Sequence, residues 1–143
     1  MQIDPQQERK LILIVEDYED DAFLTQRAFE IAEVKNPLRF VPTGREAIAY
    51  LNGDSPYTDR EKYPLPSLVL LDVRMPLVDG FAVLKWARSQ ARFANLRVVV
   101  LTGCEEKRAE CYALGADSFM AKPLSFTDAA ELSRSIERPR LAA

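Results

Sequence analysis

The chain has 143 residues, 48% hydrophobic and 29% charged, the composition of one ordinary globular domain that can bury a core of its own. Its 19 basic and 22 acidic residues leave a net charge of −3, so no broad basic face points to nucleic acid or an anionic membrane. Histidine is absent, which excludes mechanisms that use the chain's own imidazole as base, metal ligand or phosphoryl carrier.

The apolar pattern sets the elements in chain order. Met1 to Lys10 is polar and lacks the apolar core of a signal peptide; residues 1–9 are expected to fray. Leu11–Val15 is a continuous block of branched residues, as expected of a strand covered on both faces. A helix follows, with Leu24, Ala28, Ile31 and Ala32 on one stripe. Leu38–Val41 is a weaker strand signal. Thr43-Gly44-Arg45-Glu46 is a capping box opening a helix that carries Ala47, Ile48 and Leu51. Gly53–Ser67 holds Pro56, Pro64 and Pro66 and reads as a long loop, either a contact surface or an insertion. Leu68–Leu71 is the third strand. The turn signal Asp79-Gly80 introduces a helix with Val83, Leu84, Ala87 and Ala91 inward. Val98–Leu101 is the fourth strand, and Ala109, Tyr112, Ala113 and Ala116 form the next helical stripe. Ser118–Ala121 is a weaker fifth strand, and Ser125 caps a helix bearing Ala129, Leu132 and Ile136. Residues 138–143 are expected to fray, which leaves one domain over 10–137. Strict alternation of strand and helix predicts an α/β fold with a parallel sheet.

No apolar run approaches the ~18 residues of a membrane span. The two cysteines, Cys104 and Cys111, lie two helical turns apart, too far to bridge comfortably within one helix. A reduced, cytoplasmic setting is expected.

The polar residues fall at one place in the pattern. Glu16-Asp17 follows the first apolar block, Asp72 the third, Thr102 the fourth and Lys122 the fifth. Parallel strands share one C-terminal edge, where open α/β sheets bind their ligands. Three carboxylates, a hydroxyl and an amine are therefore expected to converge. Carboxylates ~4 Å apart repel by about 4 kcal/mol per pair at an effective dielectric near 20, so they ionise together only around a cation. Mg²⁺ suits a site with few protein carboxylates, several waters and a phosphate still to come. A carboxylate can also attack phosphorus and become an acyl phosphate. Lys122, Thr102 and Mg²⁺ would then each take one phosphoryl oxygen.

These motifs resemble a known family. Ile14-Val15-Glu16-Asp17, the stretch Leu71-Asp72-Val73-Arg74-Met75-Pro76-Leu77-Val78-Asp79-Gly80, Leu101-Thr102-Gly103 and Ala121-Lys122-Pro123 are similar to receiver domains of two-component response regulators, over about residues 10 to 137. The resemblance implies a flavodoxin-like (βα)5 doubly wound, five-stranded parallel sheet of order 2-1-3-4-5. It implies Asp72 as phospho-acceptor and Glu16, Asp17, Asp72 and the backbone carbonyl of Arg74 as the Mg²⁺ site. Thr102 becomes the switch hydroxyl, Lys122 its cationic partner before a cis proline, and Phe119 the switch aromatic. Arg74 and Cys104 are implied to tune access of water. The implied partners are a sensor histidine kinase or phosphotransfer protein, and a second copy through the fourth and fifth helices. The long loop and the acidic start of the first helix, Glu19-Asp20-Asp21-Ala22-Phe23-Leu24, resemble the small stand-alone regulators paired with phytochrome-type kinases.

Taken singly, several of these residues have plainer roles. The acidic run could be a helix start favoured by the macrodipole. Thr102 could be an N-cap, Asp79-Gly80 a turn, Lys122-Pro123 a rigid turn, Phe119 a core aromatic, and the cysteines ordinary helix residues. Asp72 resists such a reading, because an acid directly after a buried block is costly unless paired or used. Two other functions compete. A haloacid-dehalogenase-like phosphohydrolase also forms an aspartyl phosphate, but it carries D-x-D after its first strand, whereas position 74 is arginine here. A receiver-like binding module that works without phosphorylation would be expected to lack a site residue, and none is missing.

Overall fold

A computed structural model describes residues 10–72 and 79–137, except for the side chains of Asp72 and Asp79. The expected frayed ends, 1–9 and 138–143, and the Arg74 carbonyl lie outside the described residues.

The strands are β1 (Leu11–Val15), β2 (Leu38–Val41), β3 (Pro66–Asp72), β4 (Arg97–Thr102) and β5 (Ser118–Ala121). The helices are α1 (Glu19–Ile31), α2 (Gly44–Asn52), α3 (Asp79–Ser89), α4 (Arg108–Ala113) and α5 (Phe126–Ile136). All pairings are parallel, and the order is β2-β1-β3-β4-β5. This is the doubly wound, flavodoxin-like α/β architecture expected from the sequence.

The unbroken apolar blocks exist because each strand is covered twice. Leu11, Leu13 and Val15 of β1 join Val69, Leu71, Val98 and Val100 in the core beneath α2, α3 and α4. Ile12 and Ile14 join Leu68, Leu70, Val99 and Leu101 beneath α1 and α5. Successive residues point to opposite faces, and each fully buried branched side chain contributes roughly 1.5–3 kcal/mol.

Several local expectations shift. β3 begins at Pro66, two residues early; a proline is tolerated as the first residue of a strand. Asp79-Gly80 opens α3 instead of forming a preceding turn. α1 is rotated relative to its predicted stripe. Thr25, Ala28 and Phe29 are buried, while Leu24 and Ile31 are 49% and 53% exposed. In α4 the buried residue is Cys111; Ala109, Tyr112 and Ala113 face outward, and only Ala116 of that stripe is covered. Ala91 is exposed, in a 3₁₀ turn over Ala91–Phe93.

The caps follow the sequence. Thr43 and Ser125 accept backbone N–H groups from Glu46 and Asp128 at 3.1 and 3.0 Å. Glu46 does not complete the capping box with Thr43; its carboxylate accepts the Tyr57 hydroxyl at 2.6 Å. That bond anchors the proline-rich loop. Arg60 donates to the carbonyls of Tyr50 and Leu51 at 2.9 and 2.8 Å, closing the C-terminus of α2. Tyr63 meets Tyr50 and Tyr57 edge to face, and Tyr50 and Tyr57 are tilted against each other, with centroids 5.1–6.1 Å apart.

Candidate functional site

The C-terminal ends of β1, β3, β4 and β5 gather the residues singled out by the sequence. In register, Asp72 lies opposite Leu101 and Thr102 opposite Ala121. Adjacent strands are ~4.8 Å apart, so the last residue of β3, the hydroxyl of β4 and the lysine after β5 share one edge. The backbone holds them there: Glu16 N–H donates to the Val41 carbonyl at 3.0 Å and Lys122 N–H to the Thr102 carbonyl at 3.1 Å. The Lys122–Pro123 peptide is cis, as the resemblance implied.

Lys122 carries the central contact. Its Nζ donates to Glu16 Oε2 and to Asp21 Oδ2, both at 2.8 Å. The Glu16 side chain is 2% exposed and that of Lys122 13%, so the ion pair is largely desolvated. A buried carboxylate persists only when paired and hydrogen-bonded; Glu16 also accepts the Tyr18 N–H through Oε1 at 3.1 Å. Asp17 is exposed beside it. Among the described residues no three acidic side chains are gathered at metal-ligand distance.

Thr102 is 1% exposed. Its Oγ1 accepts the Cys104 N–H at 3.1 Å. The turn that follows opens at Glu105 with Cys104 in the N-cap position, and Thr102 ends β4, so the plain N-cap reading does not hold. Phe119 is 7% exposed and packs with Val98, Val100 and Cys111. Cys104 donates its thiol to Glu106 at 3.3 Å, which pushes its pKa above the ordinary thiol value. Burial does the same for Cys111. Both thiols are free and are held protonated, as structural cysteines are.

Two residues were not singled out from the sequence. Asp21 was visible only as one of several acids favoured by the helix dipole. It lies in the first turn of α1, four residues after Asp17, and that proximity to the acidic pair was the available signal. Arg108 lies over the Phe119 ring, its guanidinium carbon 5.1 Å from the centroid; nothing in the local sequence announces that contact.

A five-stranded sheet of this order with acids, a buried threonine hydroxyl and a lysine at its C-terminal edge defines a receiver-type signalling domain. The family model "Response regulator receiver domain" matches residues 12–134, and the chain belongs to that family. It is 35% identical over 129 residues to the probable methanogenesis regulatory protein FilR2 of Methanothrix harundinacea, covering 89% of this chain and 79% of the relative. It is 30% identical over 130 residues to response regulator Rcp1 of Synechocystis, covering 90% and 86%. The Mn²⁺-bound structure of Rcp1 superposes with a TM-score of 0.70 at 30% identity, over 90% and 91% of the two chains. The response regulator RPA3017 of red light signaling in R. palustris superposes with a TM-score of 0.78 at 31% identity, over 88% and 90%. The likeness to phytochrome-associated regulators thus extends along most of the chain.

Proposed function

We propose that the chain is a phosphorylation-operated switch. A sensor histidine kinase or phosphotransfer protein donates a phosphoryl group to Asp72 with Mg²⁺ bound, in the cytoplasm. The observation that carries this reading is the Lys122 ammonium held between Glu16 and Asp21 at the sheet edge where β3 ends on Asp72. A carboxylate oxygen of Asp72 attacks phosphorus. The P–N bond of the donor phosphohistidine breaks, and the departing nitrogen keeps the electron pair and takes a proton.

The hard oxygen donors of Glu16 and Asp17 fit a cation that keeps several waters; Asp72 and the Arg74 carbonyl would complete its protein ligands. A bound Mg²⁺ supplies charge neutralisation at the phosphoryl oxygens. Lys122 exchanges a carboxylate partner for a phosphoryl oxygen. Thr102 leaves the Cys104 N–H to donate its hydroxyl to another, and Phe119 follows. Arg74 and Cys104 flank the acceptor and tune access of water. The added group brings roughly −1.5 to −2 charges, by analogy with phosphorylated hydroxyls, and a coupling of ~1–3 kcal/mol is enough to change partner binding at the surface of α4 and α5, a second copy being one such partner.

The phosphohydrolase reading is not favoured: Asp72 ends the third strand, not the first, and position 74 carries arginine. The test is incubation with phosphoramidate and Mg²⁺, followed by intact mass. One phosphoryl group is expected on the wild type and none on Asp72→Asn. No gain in the wild type, or an equal gain in Asp72→Asn, refutes the proposal.

A further inference from the structure

We infer that Arg108, held by Glu105, is a latch over the Phe119 ring and a positioning residue for the switch; its consequence for signalling rests on the function proposed above. Phe119 is buried, whereas Arg108 is exposed, so the guanidinium lying 5.1 Å from the ring centroid separates the ring from solvent. A cation over an aromatic face is attracted by the ring quadrupole. An exposed ion pair three residues back biases the guanidinium toward this side: Arg108 Nε lies 3.3 Å from Glu105 Oε1. Glu105 opens the 3₁₀ turn Glu105–Lys107, whose far end reaches back to α3, with Lys107 Nζ 5.9 Å from the Phe81 ring centroid.

The same short segment leads to the site. Thr102 Oγ1 holds the Cys104 N–H, and Glu105 is the next residue. A threonine hydroxyl that leaves Cys104 frees the backbone carrying Glu105, and with it the orientation of Arg108. A Phe119 ring that moves outward must first displace the Arg108 guanidinium. The chain from Thr102 through Cys104, Glu105 and Arg108 to Phe119 is therefore a contact path from the reacting edge to the aromatic, running over the surface of α4.

The experiment uses the unphosphorylated full chain labelled with 4-fluorophenylalanine, which gives one ¹⁹F signal for each of its 7 phenylalanines. Phe119 is assigned by the signal lost in Phe119→Leu. The readout is the shift of that signal between H₂O and D₂O, which grows with solvent exposure. Arg108→Ala is expected to raise the exposed population about 2- to 5-fold, Glu105→Gln to raise it less, and Arg108→Lys to recover much of the wild-type value. Thr102→Val, which removes the acceptor for Cys104, is expected to raise it as well. An unchanged signal in both Arg108→Ala and Glu105→Gln overturns the latch. An unchanged signal in Thr102→Val overturns its link to the site. Repeating Arg108→Ala in Asp72→Asn keeps this test separate from phosphoryl acceptance: the ring shift is expected to persist there, and failure of Asp72 to take a phosphoryl group would leave it intact.

Discussion

Replacing Arg88 by methionine should destabilise the fold while leaving the chemistry at the opposite sheet edge untouched. Arg88 ends α3 beneath the N-terminal edge of the sheet. Its Nη2 donates to Asp117 Oδ2 at 2.9 Å, its Nε to the Gly115 carbonyl at 3.0 Å and its Nη1 to the Leu96 carbonyl at 2.6 Å. Asp117 Oδ2 also accepts the Val98 N–H at 2.8 Å. One guanidinium thus joins α3, the start of β4 and the turn before β5. Gly115 makes room for it: its φ is +106°, and a Cβ there would lie 3.0 Å from Arg88 Cγ and Nε. The paired side chains are 16% and 14% exposed. Removing one partner of a buried pair costs about 3–5 kcal/mol, and this residual exposure favours the lower end. A loss of about 3 kcal/mol lowers the melting temperature of a domain this size by roughly 10 °C. Urea unfolding followed by Trp86 fluorescence measures it, since Trp86 packs on Phe93 with centroids 5.7 Å apart. In Arg88→Met with Asp117→Asn, about 1–2 kcal/mol should return, because the stranded charge is gone while an amide oxygen still accepts from Val98. Phosphoryl uptake below the transition should match wild type. A loss under ~1 kcal/mol in Arg88→Met would refute this account of the edge.

Two further outcomes follow from the packing. The Tyr57 hydroxyl donates to Glu46, and that bond, with burial and the nearby carboxylate charge, pushes the Tyr57 pKa from 10.0 to about 12. The group is bound to its proton more tightly when folded. Its contribution to stability is therefore complete below pH 10.0 and is lost as pH rises towards about 12; urea midpoints should fall more steeply with pH in wild type than in Tyr57→Phe. The rotated face of α1 predicts that Leu24→Asp and Ile31→Glu each change stability by less than ~0.5 kcal/mol, whereas Phe29→Ala costs about 3–5 kcal/mol. Equal losses at Leu24 and Phe29 would restore the stripe read from the sequence.

The strands were legible because a strand covered on both faces needs apolar residues without interruption, and few other elements do. Helix phase was harder to read. Around α1 the sequence offers two stripes, one through Leu24 and Ile31 and one through Thr25 and Phe29, sharing Ala28. The larger hydrophobic count favours the first, but the fold buries the second, because the position of α1 is set by its connections and by packing with α5. In α4 the alanines are compatible with burial or exposure, so they carry little information; Cys111 filled the core position instead. The site followed the opposite logic. A polar residue placed directly after a buried block has few structural uses, so position alone pointed to Glu16, Asp72, Thr102 and Lys122. Asp21 and Arg108 escaped because their partners are remote in sequence: Asp21 reaches Lys122, and Arg108 lies over Phe119. The loop anchor escaped for a related reason, since Arg60 bonds to main-chain carbonyls, which carry no sequence signal.

The two edges of this sheet use charge in opposite ways. At the N-terminal edge Arg88 and Asp117 pair with each other, and main-chain groups around them bond to both. At the C-terminal edge one lysine faces Glu16 and Asp21, with Asp17 next to Glu16 in the chain and β3 ending on Asp72 at the same edge. In the function proposed above these acids and Asp72 serve one site, and each pair of carboxylates brought to ~4 Å would add about 4 kcal/mol of repulsion at a dielectric near 20. On that reading a divalent cation would relieve the repulsion and would let a phosphoryl group bring still more negative charge to the same edge. Lys122 would then divide itself between its present carboxylates and the newcomer. Because its ammonium could not satisfy all of them at once, occupancy of the site would be converted into a choice between arrangements, and a switch needs that property where a structural ion pair does not.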